Sequence, residues 1–168
     1  MIIKESTRKL ILIAVIIIIA IGLLVAKVMA KKQDEQFANN EALYSQVIQL
    51  YSQQQFAEAA PLAEELLKKQ PNAEIVNYIS GMIAAGNEEF VAAAVHLQKT
   101  LDINPYKVED AIFMLQFAEV LVHAENYEAA QKVLEKCQQA EWAPEDYPTY
   151  QEHVQELLAD IEEKQGGK

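Results

Sequence analysis

Cysteine is nearly missing from this sequence: one occurs in 168 residues, at position 137. A single thiol cannot form an internal disulfide, which excludes a disulfide framework and leaves the redox compartment open. Glycine and proline number five each, too few for a fibrous or low-complexity chain. Histidine is as scarce, with only His96, His123 and His153. Basic residues run short beyond position 32. Lys4, Arg8, Lys9, Lys27, Lys31 and Lys32 come before that point with one acid, Glu5, which leaves eight basic against 24 acidic residues and a net charge of −16 in the remaining 136. A body that acidic repels DNA, RNA and anionic headgroups, so nucleic acid is excluded as a default partner. Its length is that of one ordinary domain.

The N-terminal segment is the opposite case. Leu10 to Ala26 is a run of 17 uncharged residues, mostly Ile, Leu and Val. At 1.5 Å per residue this run reaches ~26 Å, and ~31 Å when continued to Ala30, against a hydrocarbon layer of ~30 Å. The expectation is a basic tail over 1–9 and a single transmembrane anchor helix over 10–30. Lys27 is tolerable near the end of such a span because its stem can lie on apolar surface while the ammonium reaches the headgroups. The competing reading is a cleaved signal peptide, with Lys4, Arg8 and Lys9 as the positive region and Val28-Met29-Ala30 as the cleavage site. The run exceeds the ~7–15 residues of a signal h-region, which favours the anchor. Three basic residues stand on each side, so charge does not decide orientation. Retaining a short tail is easier than retaining a long domain, which places the acidic domain outside the cytoplasm of a single-pass cell-membrane protein, the cytoplasmic side being the alternative. Gly22, Ala26 and Ala30 fall four apart, a small-residue stripe that could support a weak homodimer, although small residues are common in spans.

Internal repetition organises the acidic remainder. Phe56-Ala57-Glu58-Ala59 ending in Pro71 and Phe90-Val91-Ala92-Ala93 ending in Pro105 are offset by 34 residues at both aromatic and proline. A third copy, Tyr127-Glu128-Ala129-Ala130, follows the second by 37, and Pro105 to Asp110 could hold the added residues in a loop. Before each aromatic, apolar residues recur at three and four, predicting helices over Glu41–Ser52, Glu74–Ala85 and Ala111–Ala124. A second helix follows each, ending near Lys69, Leu101 and Gln139. Polar breaks separate them at Gln53-Gln54-Gln55, Gly86-Asn87, Glu125-Asn126, Gln70-Pro71-Asn72 and Asn104-Pro105. Pro61 falls about one turn into its helix, where a kink is expected. Pro148 to Lys164 carries Tyr150, Val154, Leu157, Leu158 and Ile161 on one stripe and reads as a further amphipathic helix.

A helix pair repeating every 34 residues resembles the tetratricopeptide repeat (TPR) family, whose pattern has a small residue midway along the first helix, an aromatic opening the second, an Ala three later and a terminal Pro. Gly81, Phe90, Ala93, Leu97 and Pro105 match in the second copy, and Phe117, Ala118, Leu121, Tyr127, Ala130 and Leu134 in the third. In the first copy Val47 stands where a small residue is usual, while Phe56, Ala59, Ala63 and Pro71 agree. The likeness covers about Asn40 to Trp142 and, with the N-terminal run, suggests a membrane-anchored member of bacterial type. It implies an all-α fold: after the transmembrane helix and a linker over 31–39, an α-solenoid of three TPR-like helix pairs over about 40–72, 73–106 and 107–144, a C-terminal capping helix over 145–164 and a tail over 165–168. Small residues let the helices of a pair approach, the aromatic fills the gap to the next pair, and the last pair needs a cap with a polar outer side.

The sequence holds no recognisable catalytic or metal-binding constellation. His123 and Cys137 are 14 residues apart with no second Cys, so the spacing of a zinc site is missing. Cys137 falls where the repeat wants a small buried residue, and a packed inert thiol is expected. His153 beside Glu152 and Glu156 reads as a solvated helical face. Gly-rich phosphate loops and a Gly-x-Ser-x-Gly elbow are also missing. No metal, cofactor or enzymatic activity is expected.

In the TPR family the first helices of successive pairs line a concave groove that takes peptides or helices. By spacing, the groove-facing residues here are Tyr44, Ile48 and Tyr51, then Ile75, Tyr78, Ile79 and Met82, then Ile112, Leu115, Gln116, Glu119, Val122 and His123. Members that clamp a chaperone's C-terminal carboxylate use Lys, Asn and Arg where this chain has Tyr44, Ile48, Ile79, Ile112 and Gln116, so that activity is not expected. The apolar residues suit an amphipathic helix or peptide, and the acidic rim favours basic flanks. The alternative is ordinary core, the stripe being covered by the cap or by Gln33–Asn40. Two functions remain: a membrane-anchored adaptor or scaffold holding a protein partner near the bilayer, and a structural subunit of a larger membrane-associated assembly.

Overall fold

The computed structural model describes residues 5–166, with side chains described for Val15, Ile18, Ile19 and from Ile21 onward. Seven α-helices follow one another among the described residues: α1 (Glu5–Ser52), α2 (Phe56–Lys69), α3 (Glu74–Gly86), α4 (Phe90–Ile103), α5 (Ala111–His123), α6 (Tyr127–Gln139) and α7 (Tyr150–Gly166), with a 3-10 turn over Pro105–Glu109 before α5. The chain divides into two compact units, 1–42 and 43–168.

The first unit corrects the expected anchor. Among the described residues no helix is long and apolar enough to cross a membrane. Residues 10–14, 16, 17 and 20 of the apolar run lie outside the described side chains. Beyond that run Lys27, Lys31, Lys32, Asp34 and Glu35 enter the same helix, which runs on to Ser52 instead of ending near Ala30. The structure therefore does not support the expected transmembrane helix over 10–30, its membrane contact or the single-pass cell-membrane localisation with an extracytoplasmic domain. The stripe of Gly22, Ala26 and Ala30 loses its argument as well, because close approach through small residues was inferred for helices in lipid. The segment 31–39, read as a linker, is helical throughout. Lys32-Gln33-Asp34-Glu35-Gln36 has neither Gly nor Pro to stop a helix and is mostly good helix formers.

The second unit is an all-α solenoid of three helix pairs and a seventh helix. In the first pair Val47, fully buried, packs with Ala59 and Ala63 of α2 and with Ile79 and Ile83 of α3. The larger Val is accommodated because the facing positions are both alanine. α2 runs through Pro61 as one helix. Pro61 and Ala57 are both exposed, so water can take the Ala57 carbonyl that proline leaves without its helical donor. In the second pair a Cβ on Gly81 would lie 3.0 Å from Leu97 Cγ and 3.3 Å from the Ala93 carbonyl oxygen, which is why the small residue sits midway along α3.

The opening aromatics bridge pairs as the repeat pattern requires. A Cβ added to Gly86, the last residue of α3, would fall 2.5 Å from the Phe56 ring. Gly86→Ala should therefore lose about 1–3 kcal/mol by overpacking, in part offset by about 1 kcal/mol of helix propensity. Urea unfolding reads this, with Gly166→Ala, where a Cβ meets nothing within 4 Å, as the neutral control. The turns within pairs share a feature that composition did not announce. Gln54, Glu88 and Glu125 hold left-handed backbone at φ 58°, 62° and 58°, each two residues before the aromatic of its copy, at a position that glycine would occupy without strain.

The residues added before the third copy form the 3-10 turn over Pro105–Glu109. Lys107 in that turn reaches Asp110 at 2.9 Å and Glu74 of α3 at 3.7 Å. Asp110 caps α5 by accepting the Phe113 backbone N–H at 3.1 Å, the expected use of an aspartate at a helix start. α7 closes the stack: Tyr150, Val154 and Ile161 are buried in the same core as Leu134 and Cys137, and Leu157 and Leu158 are packed against it. The Tyr150 hydroxyl donates to the Ala111 carbonyl at 2.9 Å. Burial pushes the Cys137 thiol above its ordinary range, which keeps it protonated and weakly nucleophilic.

Candidate binding groove

The expected groove residues come from three helices, and periodicity separates them into different depths. Tyr44, Ile48 and Tyr51 of α1 are half-buried around the core of the first pair. On α3, Ile75 is 49% exposed, Tyr78 and Met82 are half-buried, and Ile79 is 3% exposed. On α5, Ile112 is 40% exposed, Gln116 and Glu119 are half-buried, and His123 is exposed. Leu115 and Val122 lie in the core with Phe113, Phe117 and Leu121. Ile79, Leu115 and Val122 are thus packing residues in this structure.

Between α3 and α5 the face is tied together by polar contacts. The Tyr78 hydroxyl donates to Gln116 Oε1 at 2.8 Å, and the Tyr78 ring lies 5.9 Å from Phe113. Lys107 Nζ stands 5.9 Å over the Tyr78 ring and 5.8 Å over Phe113. These contacts hold Tyr78 and Gln116 in one arrangement beside the next feature, a cleft of about 320 Å³.

Met82 and Ala85 of α3, Phe90 of α4, Gln116, Glu119, Val120 and His123 of α5, and His153 and Leu157 of α7 line that cleft. Four expected residues meet there: Met82, Gln116, Glu119 and His123. Tyr44, Ile48, Tyr51, Ile75, Tyr78 and Ile112 are not among its walls. Phe90, His153 and Leu157 were missed for different reasons. Phe90 opens a second helix, yet it stacks on His123 at 4.6 Å with the rings 18° apart and so reaches the first-helix face. His153 and Leu157 belong to α7, whose register against α5 cannot be read from its own stripe.

The carboxylate of Glu119 sets the electrostatics. Burial raises its proton affinity above the ordinary carboxylate value, and the proximity of His153 and His123 opposes this. His153 Nε2 stands 3.4 Å from Glu119 Oε1, while His153 Nδ1 is 2.6 Å from the Tyr147 hydroxyl. If the Tyr147 hydroxyl donates to Nδ1, the neutral ring carries its proton on Nε2, pointing at Glu119. A carboxyl whose folded pKa is raised favours folding most when protonated, and that contribution is lost as pH rises through the folded value. Glu119→Gln should accordingly raise the urea midpoint at pH 7, and the gain should vanish below the ordinary value of 4.5. Urea melts at the two pH values read this; a variant less stable at pH 7 would show the carboxylate to be net stabilising.

A larger groove of about 660 Å³ runs over α4, α5 and α6, with Val91 70% and Val95 64% exposed. Its charged walls, Lys99, Asp102 and Lys132, are all exposed, so water already screens them. None of the expected groove residues lies there. Among the described residues no group of three or more His, Cys, Asp or Glu is arranged to hold a metal ion.

A family profile described as a tetratricopeptide repeat-like domain matches residues 6–166. No curated protein matches the sequence. Among solved structures, the type III secretion translocator chaperone SycD of Yersinia enterocolitica is similar at 16% identity, over 75% of this chain and 85% of that one, with a TM-score of 0.61. SycD in complex with a peptide of the translocator YopD is similar at 16% identity, over 74% of this chain and 93% of that one, with a TM-score of 0.60. The TPR2B domain of yeast Sti1, in its complex with pHsp70, is similar at 14% identity, over 74% and 97% of the two chains, with a TM-score of 0.58. At these identities the likeness is one of fold.

Proposed function

Since this chain belongs to the tetratricopeptide repeat-like domain family, we propose that it is a protein-binding adaptor that takes a peptide or amphipathic helix of a partner along the face of its first helices. The observation that carries this reading is the cleft between α3, α5 and α7, with Met82, Phe90, Val120 and Leu157 as apolar wall and a half-buried carboxylate among them. Such a mixture of apolar surface and few fixed polar groups is how a binding site orients a ligand. Met82 adds adaptability, because a thioether on an unbranched stem repacks against differently shaped partners. The same fold holds a YopD peptide in the SycD complex and pHsp70 in the Sti1 complex, which supports a peptide ligand here. A peptide gripped by its C-terminal carboxylate is the wrong chemistry for this face. Tyr44, Ile48, Ile112 and Gln116 offer no cation, and Glu119 would repel the anion.

The remaining half-buried or exposed residues of the expected groove, Tyr44, Ile48, Tyr51, Ile75, Tyr78 and Ile112, would extend the contact beyond the cleft. The test is fluorescence anisotropy of the full chain with a labelled amphipathic helical peptide carrying basic flanks. Saturable binding is expected, with Met82→Glu weakening it about tenfold or more because a carboxylate would enter the apolar wall. The helical circular dichroism of that variant should be unchanged. Absence of saturable binding, or binding indifferent to Met82→Glu, would contradict the reading.

A further inference from the structure

Resting on the binding face proposed above, we infer that the cleft between α3, α5 and α7 is a specificity pocket for one basic side chain of the partner, a lysine or arginine inserted from the bound peptide. The cleft is apolar at its sides, with Met82, Phe90 and Leu157, and has one acid, Glu119. Lysine and arginine have that same division: an apolar stem that packs on hydrocarbon and a charged head that needs a partner. The Glu119 side chain is 36% exposed, so it is reachable, and its only ion-pair neighbour among the described residues is His153 at 3.4 Å, which is charged only when protonated. No lysine or arginine lines the cleft. Its carboxylate is thus partly stripped of water without a permanent cation in place.

The neighbouring groups fix the head-group geometry. Glu119 Oε1 faces His153, and the Tyr147 hydroxyl at 2.6 Å holds that ring from its other nitrogen. This leaves the second carboxylate oxygen for an incoming N–H donor, in a charge-assisted hydrogen bond. Gln116 Oε1 is engaged by the Tyr78 hydroxyl at 2.8 Å but keeps a second lone pair for another donor. The stacked rings of Phe90 and His123, 4.6 Å apart, form one wall, against which an alkyl stem or a planar guanidinium can lie. An acidic side chain would meet Glu119 as a like charge. A purely apolar one would bury the carboxylate without pairing it.

The test uses the full chain and two labelled amphipathic helical peptides of equal net charge. One carries lysine at the centre of its apolar face and norleucine on its polar face; in the other the two residues are exchanged. Equal charge removes the general attraction of an acidic protein for any cationic peptide. The first peptide should bind about tenfold more tightly, a difference of about 1.4 kcal/mol. In Glu119→Gln the preference should collapse to about one, with the second peptide bound no more weakly than by the wild-type chain because its norleucine no longer buries an unpaired carboxylate, which also reports that the variant is folded. Equal binding of the two peptides to the wild-type chain, or a preference that survives Glu119→Gln, would overturn the basic-residue pocket and leave the adaptor reading standing. Failure of both peptides to bind would overturn both.

Discussion

Replacing Ile79 by glutamate should unfold the repeat unit. Ile79 is 3% exposed and packs with Val47, Ala59, Ala63 and Ile83 from three helices, although its spacing placed it among the groove residues. Truncating a buried isoleucine costs about 2–5 kcal/mol. A carboxylate in its place adds several more, because it must be buried without a cation or be protonated. The sum is comparable to the whole stability of a domain, about 5–15 kcal/mol. Circular dichroism should show loss of most of the helical signal at neutral pH. A variant with near-normal urea midpoint would return Ile79 to the surface, and with it the first and second pairs would have to pack differently.

Ala93→Trp is the second large effect expected. Ala93 has no exposed surface, and the helices around it are already as close as their backbones allow: a Cβ on Gly81 would lie 3.3 Å from the Ala93 carbonyl oxygen and 3.0 Å from Leu97. An indole cannot find a rotamer there without driving α3 from α4. A loss of about 3 kcal/mol or more is expected, at the upper end of overpacking penalties. Glu128→Gln on α6 is the contrasting change. Its 2.7 Å pair with Lys132 is held by two exposed side chains and contributes little. Urea unfolding of the two variants decides the matter: similar midpoints would mean that the alanines do not mark tight helix crossings.

The repeating architecture was legible because its signals are local. An aromatic, an alanine three later and a closing proline recur from Phe56 to Pro71 and from Phe90 to Pro105, and each reflects contacts within one pair or with the next. Asn87 and Glu125 lie in turns between apolar runs, so the helix ends at Gly86 and His123 could be placed within a residue or so. The depth of a residue on the first-helix face was not legible. Ile75 and Ile79 are one helical turn apart, yet one is 49% and the other 3% exposed, because depth depends on how α2 and α4 flank α3. Similarly, Leu157 and His153 become walls of the cleft only through the crossing of α7 over α5, a long-range contact without a sequence signature. The N-terminal apolar run shows the converse limit. Hydropathy over 10–30 suggested a self-contained span, while α1 continues from Glu5 to Ser52 through a charged stretch with nothing to stop it.

Photocrosslinking with a defined peptide tests the proposed function most directly. A photoreactive residue is placed at Gln116, beside the cleft, and in a second protein at Lys99, in the groove over α4, α5 and α6. Each full-length protein is irradiated with the basic-flanked amphipathic peptide. A peptide adduct at position 116, competed away by unlabelled peptide, with none at position 99, is the expected result. An adduct at position 99 alone, or equal yields that competitor does not reduce, would contradict binding along the first-helix face.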